Sequence, residues 1–220
     1  MENNNVVIYT DGSSLIKGDY YESSGGIIIT VDGSEVYRYG EYFPNGTNSK
    51  GEVYAMKMAF DKLYELFDVS KLNSITIICD SEYVVNSVTK WIYGWAKNGW
   101  MNTNNEEVKF VDIFQYLYSK YLDKSVKNKK IKIYHIHSHR KDTIKARRKF
   151  MYKNNVDITQ SEYDRFTYWN NQVDEFVNQI RCEKHMKYEK YITESKIEFA
   201  TNEKSQLEKR NGCYVIHCRY

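Results

Sequence analysis

The sequence predicts an α/β protein built on one mixed five-stranded sheet flanked by helices. Two observations favour this class: three apolar runs come early in the chain, and strand patterns then alternate with helical patterns. Strands joined by a tight turn pair antiparallel, whereas strands separated by a helix pair in parallel beneath the helices. With 220 residues and 41% hydrophobic content, the chain can bury one substantial core rather than two.

The first half of the chain follows from hydrophobic periodicity. An apolar run predicts a strand at 6–11, and Gly25-Gly26 opens a second strand at 25–31. Asp32-Gly33 forms a hairpin turn into a third strand at 35–43. Apolar residues at three- and four-residue steps then predict a helix at 49–67.

The second half alternates between the two periodicities. A strand is predicted at 74–79, followed by helical stretches at 81–100 and 107–122. A strand at 131–137 and a helix from 170 complete the pattern. This alternation favours parallel pairing, with the helices covering the sheet.

Four carboxylates fall where burial is costly. Asp11 and Asp80 each end an apolar strand pattern, and Glu52 and Asp174 lie on the apolar side of helical patterns. A buried ionised carboxylate loses hydration unless a cation compensates its charge, and hard oxygen ligands select Mg²⁺ or Mn²⁺. Ligands of such folds bind at the carboxyl ends of the strands, so the sequence predicts a divalent-metal site there.

Each acid also has a structural interpretation when taken alone. Asp11 fits a turn, and Glu52 fits the first turn of a helix, where the dipole favours an acid. Asp80 fits the N-cap of the helix that follows it. The motifs around the acids, taken together, favour the metal site.

Five motifs carry a resemblance to a known family. They are Thr10-Asp11-Gly12-Ser13, Thr47-Asn48 followed by Glu52, Asp80-Ser81-Glu82-Tyr83-Val84, the segments 91–100 and 108–112, and Asn170-Asn171-Gln172-Val173-Asp174-Glu175. In this order and spacing they resemble the type 1 ribonuclease H family over residues 6–140 and 169–180. The segments 91–100 and 108–112 resemble the substrate-binding protrusion of the bacterial enzymes.

The resemblance implies a ribonuclease H-like fold that hydrolyses the RNA strand of RNA/DNA hybrids with two Mg²⁺ or Mn²⁺ ions, leaving 5′-phosphate and 3′-hydroxyl ends. Asp11 would bridge both ions, Asp174 would help hold the ion that activates water, and Glu52 and Asp80 would hold the ion at the leaving oxygen. His139 would assist proton transfer or product release. The implied substrate contacts are Thr47, Asn48, Trp91, Trp95, Lys97, Trp100 and Asn170.

The chain departs from the family between His139 and the last motif. Thirty residues, 140–169, stand where bacterial members have only a few, and they are rich in lysine and arginine. The span 124–153 holds twelve lysines or arginines and one acid, although the whole chain has a net charge of +3. We hypothesise that hybrid-binding charge has moved from the protrusion to this insertion. The alternative is a solvated lysine-rich loop.

We expect a ribonuclease H-like domain at 1–181, with the insertion at about 140–168, and an extension at 182–220. The extension could add a strand to the sheet edge or bind a partner. A zinc site is a weaker alternative, since the ligand spacing is loose. Its potential ligands are Cys182, His185, Cys213, His217 and Cys218.

No apolar run approaches the roughly 20 residues of a membrane helix, and the polar start does not resemble a signal peptide. We therefore expect a protein without membrane contacts, intracellular and cytoplasmic, with reduced cysteines, and monomeric. Two other classes stay open: a nuclease of the same fold that cuts branched DNA, and a non-catalytic nucleic-acid-binding module. Junction cleavage would favour the first, and binding without metal-dependent cleavage would favour the second.

Overall fold

The computed structural model describes residues 4–17, 20–122, 131–137, 143–183, 193–194 and 214–216. Its five main strands are β1 (Asn5–Lys17), β2 (Tyr20–Val31), β3 (Ser34–Pro44), β4 (Ser74–Cys79) and β5 (Ile131–His135). Their order in the sheet is β5-β4-β1-β2-β3, in which β1, β2 and β3 are antiparallel, and β4 and β5 run parallel to β1. The predicted mixed five-stranded sheet is confirmed.

Two short strands from the end of the chain extend the sheet. Thr193–Glu194 (β6) and Tyr214–Ile216 (β7) both pair antiparallel with β3. They cover part of an edge whose backbone groups would otherwise lack strand partners. This placement corresponds to the extra-strand interpretation of the extension.

The helices are α1 (Asn48–Leu66), α2 (Glu82–Asn86), α3 (Ile92–Lys97), α4 (Val111–Leu117), α5 (Thr143–Asn154) and α6 (Gln160–Cys182). A π-helical turn at Ser87–Trp91 joins α2 to α3, and another at Tyr118–Leu122 continues α4. A short 3₁₀ turn, Val69–Lys71, precedes β4. No helix within the described ranges combines the length and apolarity that a membrane crossing requires.

The two faces of the sheet bury separate clusters of apolar side chains, because successive strand residues point to opposite faces. Ile8 packs with α1 and the helices between β4 and β5, in a core that includes Phe60 and Phe114. Its neighbour Tyr9 packs on the other face, in a core that includes Phe150 and Val173. The insertion therefore supplies core residues to the second face through α5 and the start of α6.

Several predicted boundaries are wrong; the second strand, for example, begins at Tyr20 rather than 25. The first strand runs to Lys17 rather than ending at Asp11. Its pairing with β4 ends at Thr10, but its pairing with β2 continues as far as Lys17 and Tyr20. The last helix begins at Gln160 rather than 170, because Thr159 and Glu162 form a capping box at its start. In addition, residues 143–154 form a helix rather than a loop.

Candidate active site

Asp11 and Asp80 lie level with each other on neighbouring parallel strands. The pairing between β1 and β4 ends at Thr10 and Cys79, and Asp11 and Asp80 are the next residues in the sequence. Asp11 is 3% exposed, and Asp80 is half-buried. Ser81 rather than Asp80 occupies the N-cap position of α2, so the interpretation of Asp80 as the N-cap is wrong.

Helix α1 brings a third acid, Glu52, to this edge. The backbone at the start of the helix is in direct contact with the backbone of β1. A Cβ atom on Gly12 would lie 2.7 Å from the carbonyl carbon of Gly51, far inside van der Waals contact. The absence of side chains at both positions allows the close approach. Glu52, the residue after Gly51, is consequently only 6% exposed.

Asp11, Glu52, Asp80 and Asp174 form the acidic cluster. Burial raises the pKa of the Asp11 carboxyl well above its ordinary value, and the negative charges of the other three acids raise it further. Burial likewise raises the pKa of Glu52, followed by the charges of Asp80 and Asp174. The hydrogen bond from the Gly12 N–H to Asp11 Oδ1, at 2.7 Å, opposes the rise at Asp11. The four carboxylates therefore share one electrostatic environment, in which the charges of Asp80 and Asp174 disfavour ionisation of Asp11 and Glu52.

The donor set of the cluster fits a divalent cation. One ligand atom from each of Glu52, Cys79 and Asp80 lies within 4.8 Å of the other two. Glu52 Oε2 is buried and has no hydrogen-bond partner among the described residues. A buried carboxylate oxygen without a donor is costly, and a hard cation would satisfy it.

Cys79 is a soft donor beside this set, and it is not suited to bind the cation. Burial raises the pKa of its thiol well above the ordinary value, and the charges of Glu52 and Asp80 add to the rise. The protonated Sγ lies 3.8 Å from the carbonyl oxygen of Ser81, to which it donates. The carboxylates therefore remain the ligands of choice for Mg²⁺ or Mn²⁺.

Asp174, half-buried on α6, is held by a chain of hydrogen bonds. Asn178, one turn later, donates from Nδ2 to Asp174 Oδ1 at 2.9 Å. The Asn178 side-chain oxygen in turn accepts from Ser13 Oγ at 2.6 Å and from Arg181 at 3.2 Å. These contacts link α6 to β1, the strand that carries Asp11.

A second set of contacts fixes the main chain at Asp80. His135 Nε2 lies 3.0 Å from the Asp80 carbonyl oxygen, which can only accept, so this ring nitrogen carries the proton. Asn154, at the end of α5, accepts from the His135 N–H and donates to the His135 carbonyl oxygen, both at 3.0 Å. The insertion thus clamps the end of β5 beside Asp80.

The predicted substrate residues fall at two places. Thr47 is the N-cap of α1, where its side chain accepts from the Lys50 N–H at 3.4 Å, and Asn48 begins the helix. Trp91, Trp95 and Trp100 belong to the protrusion, 91–109, where Trp91 is 42% exposed and Lys97 is exposed. A groove beside the protrusion is lined by Ser49, Tyr83, Trp95, Asn102, Val108 and Lys109.

Other predicted residues lie apart from these contacts or outside the described residues. Asn170 is 1% exposed on α6, and its Oδ1 has no partner among the described residues. His139 lies outside the described residues. Of the potential zinc ligands, Cys182 is exposed at the end of α6, and the others, His185, Cys213, His217 and Cys218, lie outside the described residues.

Sequence reasoning missed Asn178, Asn154 and the structural role of His135. Asn178 could have been found from its position four residues after Asp174, since such pairs lie on one helix face. The contact of Asn154 with His135 joins a helix to a strand 19 positions earlier, and no local pattern encodes it.

A mixed sheet with an acidic cluster at the carboxyl ends of adjacent parallel strands defines the class of metal-dependent nucleases. The family model for RNase H matches residues 3–179. A ribonuclease H of Rickettsia akari (strain Hartford) is 35% identical over 117 residues, which cover 53% of this chain and 71% of the relative. A ribonuclease HI of Pseudomonas aeruginosa is 34% identical over 112 residues, covering 51% and 70%. The chain belongs to the ribonuclease H family and is a nuclease.

Solved structures support the fold. The solution structure of the PFV RNase H domain matches with a TM-score of 0.58 at 21% identity, over 82% of this chain and 96% of that domain. The structure of LC11-RNase H1, isolated from compost, matches with a TM-score of 0.53 at 18% identity, over 84% and 99%. At these identities the likeness establishes the ribonuclease H fold.

Proposed function

We propose that the protein hydrolyses the RNA strand of RNA/DNA hybrids with two Mg²⁺ or Mn²⁺ ions in the acidic cluster. The observation that carries this proposal is a set of four carboxylates, two buried and two half-buried, in which the charges of Asp80 and Asp174 act on the buried Asp11 and Glu52, and one oxygen of Glu52 has no partner among the described residues. Four acids in one such site are destabilising unless cations neutralise them. Relatives named ribonuclease H support the substrate class.

Each acid has a separate part in holding the ions. Asp11 would be a ligand of both ions, Asp174 would help to hold the ion that activates water, and Glu52 and Asp80 would hold the ion that stabilises the leaving oxygen. When bound, the ions lower the pKa of the attacking water and neutralise charge that develops on the scissile phosphate. Asn178 keeps the Asp174 carboxylate oriented, and His135 keeps the Asp80 main chain in place.

The substrate contacts lie at the start of α1 and on the protrusion, which line one groove. Thr47 and Asn48, at the start of α1, are suited to backbone phosphates, because free amides at a helix N-terminus favour anions. Aromatic and cationic contacts to the other strand of the hybrid come from Trp91, Trp95, Lys97 and Trp100. Recognition of 2′-hydroxyl groups separates the RNA strand from the DNA strand. Asn170 and His139 complete the proposed set, with His139 assisting proton transfer or product release.

We further propose that one chain acts as a monomer, because a single copy carries all four carboxylates. The family match ends at 179 and α6 ends at Cys182, which supports a domain at 1–181 and an extension at 182–220. An intracellular site of action, in the cytoplasm, accords with a hybrid substrate.

A panel of labelled substrates tests the proposal: an RNA/DNA hybrid, matched double-stranded RNA and DNA, and a four-way DNA junction, each with Mg²⁺ or Mn²⁺. Cleavage of only the hybrid's RNA strand, dependent on the metal, would support it. Preferential cleavage of the junction would instead support a branched-DNA nuclease. Hybrid binding without cleavage under any metal condition would support a binding module.

A further inference from the structure

Helix α5, which the insertion contributes, carries five basic side chains and no acid: Lys145, Arg147, Arg148, Lys149 and Lys153. Arg147 donates from Nη1 to the carbonyl oxygen of Ile158 at 2.7 Å, and Lys153 forms an ion pair with Glu82 at 2.8 Å. These two contacts fasten the helix to the fold, and neither involves Arg148 or Lys149.

The outer face of α5 is basic and aromatic. At 100° per residue, Ile144, Lys145, Arg148, Lys149 and Tyr152 fall within about 140° of the helix surface, opposite the buried Phe150. Tyr152 is 90% exposed and Ile144 is 57% exposed. Neither Arg148 nor Lys149 has an ion-pair partner within the part of the chain that the structure describes. We call the surface formed by Ile144, Lys145, Arg148, Lys149 and Tyr152 the α5 face.

The position of α5 relates this face to the acidic cluster. Its last two residues, Lys153 and Asn154, contact Glu82 and His135, and both of those lie next to Asp80 in the fold. Twelve helical residues span about 18 Å. The C-terminal end of α5 therefore lies near the cluster, and the helix packs on the side of the sheet opposite α1.

We propose that the α5 face binds the sugar-phosphate backbone of the hybrid duplex beyond the scissile phosphate. Because a duplex carries on the order of one charge per 1.7 Å with both strands counted, 18 Å of duplex carries on the order of ten phosphates, and those on one side of it face the helix. Arg148 and Lys149 neutralise phosphates, and Tyr152 packs against a sugar of the same backbone. This inference rests on the proposed function, because it assigns the hybrid as the bound duplex.

The test measures binding without cleavage, by fluorescence anisotropy of a labelled hybrid on the Asp80→Asn protein in EDTA. We expect Arg148→Ala/Lys149→Ala to raise the dissociation constant about 5- to 20-fold at low salt and to lower the salt slope by about 1 to 2, since each phosphate left without its cation lowers the slope by about one. The single variant Lys149→Ala is compared with Lys71→Ala, which removes an exposed lysine from the turn before β4, at the opposite end of that strand from Asp80. The control is expected to change the constant less than 2-fold.

Equal constants and equal salt slopes for the α5 variants and the control would overturn the inference and would indicate that the α5 face serves another partner. A series of hybrids shortened from either end adds a second readout. Wild type should lose affinity when one particular end is shortened, and the double variant should not. Binding is measured apart from catalysis, so a failed cleavage assay with intact α5-dependent binding would count against the proposed function alone.

Discussion

Asn178 Nδ2 donates two hydrogen bonds to Asp174, one to its main-chain oxygen and one to Oδ1, both at 2.9 Å. One amide therefore fixes both the helix turn and the carboxylate of the same residue. Its own oxygen is held by Ser13 from β1, and Ser13 also accepts from Arg181 at 2.9 Å. The orientation of one acid is thus tied to the strand that carries another.

We expect Asn178→Ala to weaken apparent Mg²⁺ affinity and hybrid cleavage by about 10- to 100-fold, the range for partners that orient a metal ligand. The protein should stay folded, because the side chain is only half-buried. Magnesium titrations of cleavage, together with calorimetric titration of Mg²⁺, separate weaker binding from slower chemistry. Gln179→Ala, at the next and exposed position, is the control; equal losses in the two variants would contradict the positioning role.

The acidic cluster predicts that Mg²⁺ stabilises the protein more at pH 8 than at pH 5. In the metal-free fold the pKa values of Asp11 and Glu52 are raised, whereas the unfolded chain releases these protons near pH 4. Their contribution to stability is complete below about pH 4 and is lost as the pH rises through the raised folded pKa values. A cation binds the ionised forms, so it restores the most stability at high pH.

Differential scanning fluorimetry with Mg²⁺ and with EDTA measures this effect. The Mg²⁺-induced rise in Tm should be larger at pH 8 than at pH 5 in wild type and should shrink in Glu52→Gln. Asp157→Asn, at an exposed acid that is not a member of the cluster, should behave as wild type. An equal Mg²⁺ response in Glu52→Gln and wild type would count against Glu52 as a ligand.

The glycine contact between β1 and α1 predicts a stability loss without any change of charge. A methyl group on Gly12 would meet the backbone of Gly51 and Glu52, which cannot move as a flexible side chain would. We expect Gly12→Ala to lower the free energy of unfolding by about 1–3 kcal/mol, measured in urea. Gly94→Ala is the control, since its Cβ would meet nothing within 4 Å and alanine favours the helix. Equal stability of both variants would show that α1 moves to accommodate the methyl group.

Apolar patterns predicted the five strands and α1, because the central strands bury both faces as continuous apolar runs and α1 buries one stripe. It placed the end of the first strand too early, since Gly12, Ser13 and Ser14 continue to pair with β2 without an apolar pattern. The start of α6 had a local signal in Thr159 and Glu162 that the prediction did not use. The four acids could be predicted from sequence, and Asn178 has a local signal in its spacing from Asp174. The contact between Asn178 and Ser13 has none, because the two residues are 165 positions apart.

The most direct test of the central claim compares wild type, Asp80→Asn and Asp157→Asn in cleavage of a labelled RNA/DNA hybrid across a Mg²⁺ titration. The account predicts that wild type and Asp157→Asn cut the RNA strand only when the metal is present, and that Asp80→Asn retains hybrid binding but loses cleavage by at least about 100-fold, because the ion at the leaving oxygen loses a ligand. Cleavage by Asp80→Asn at the wild-type rate, or by wild type in EDTA, would contradict it.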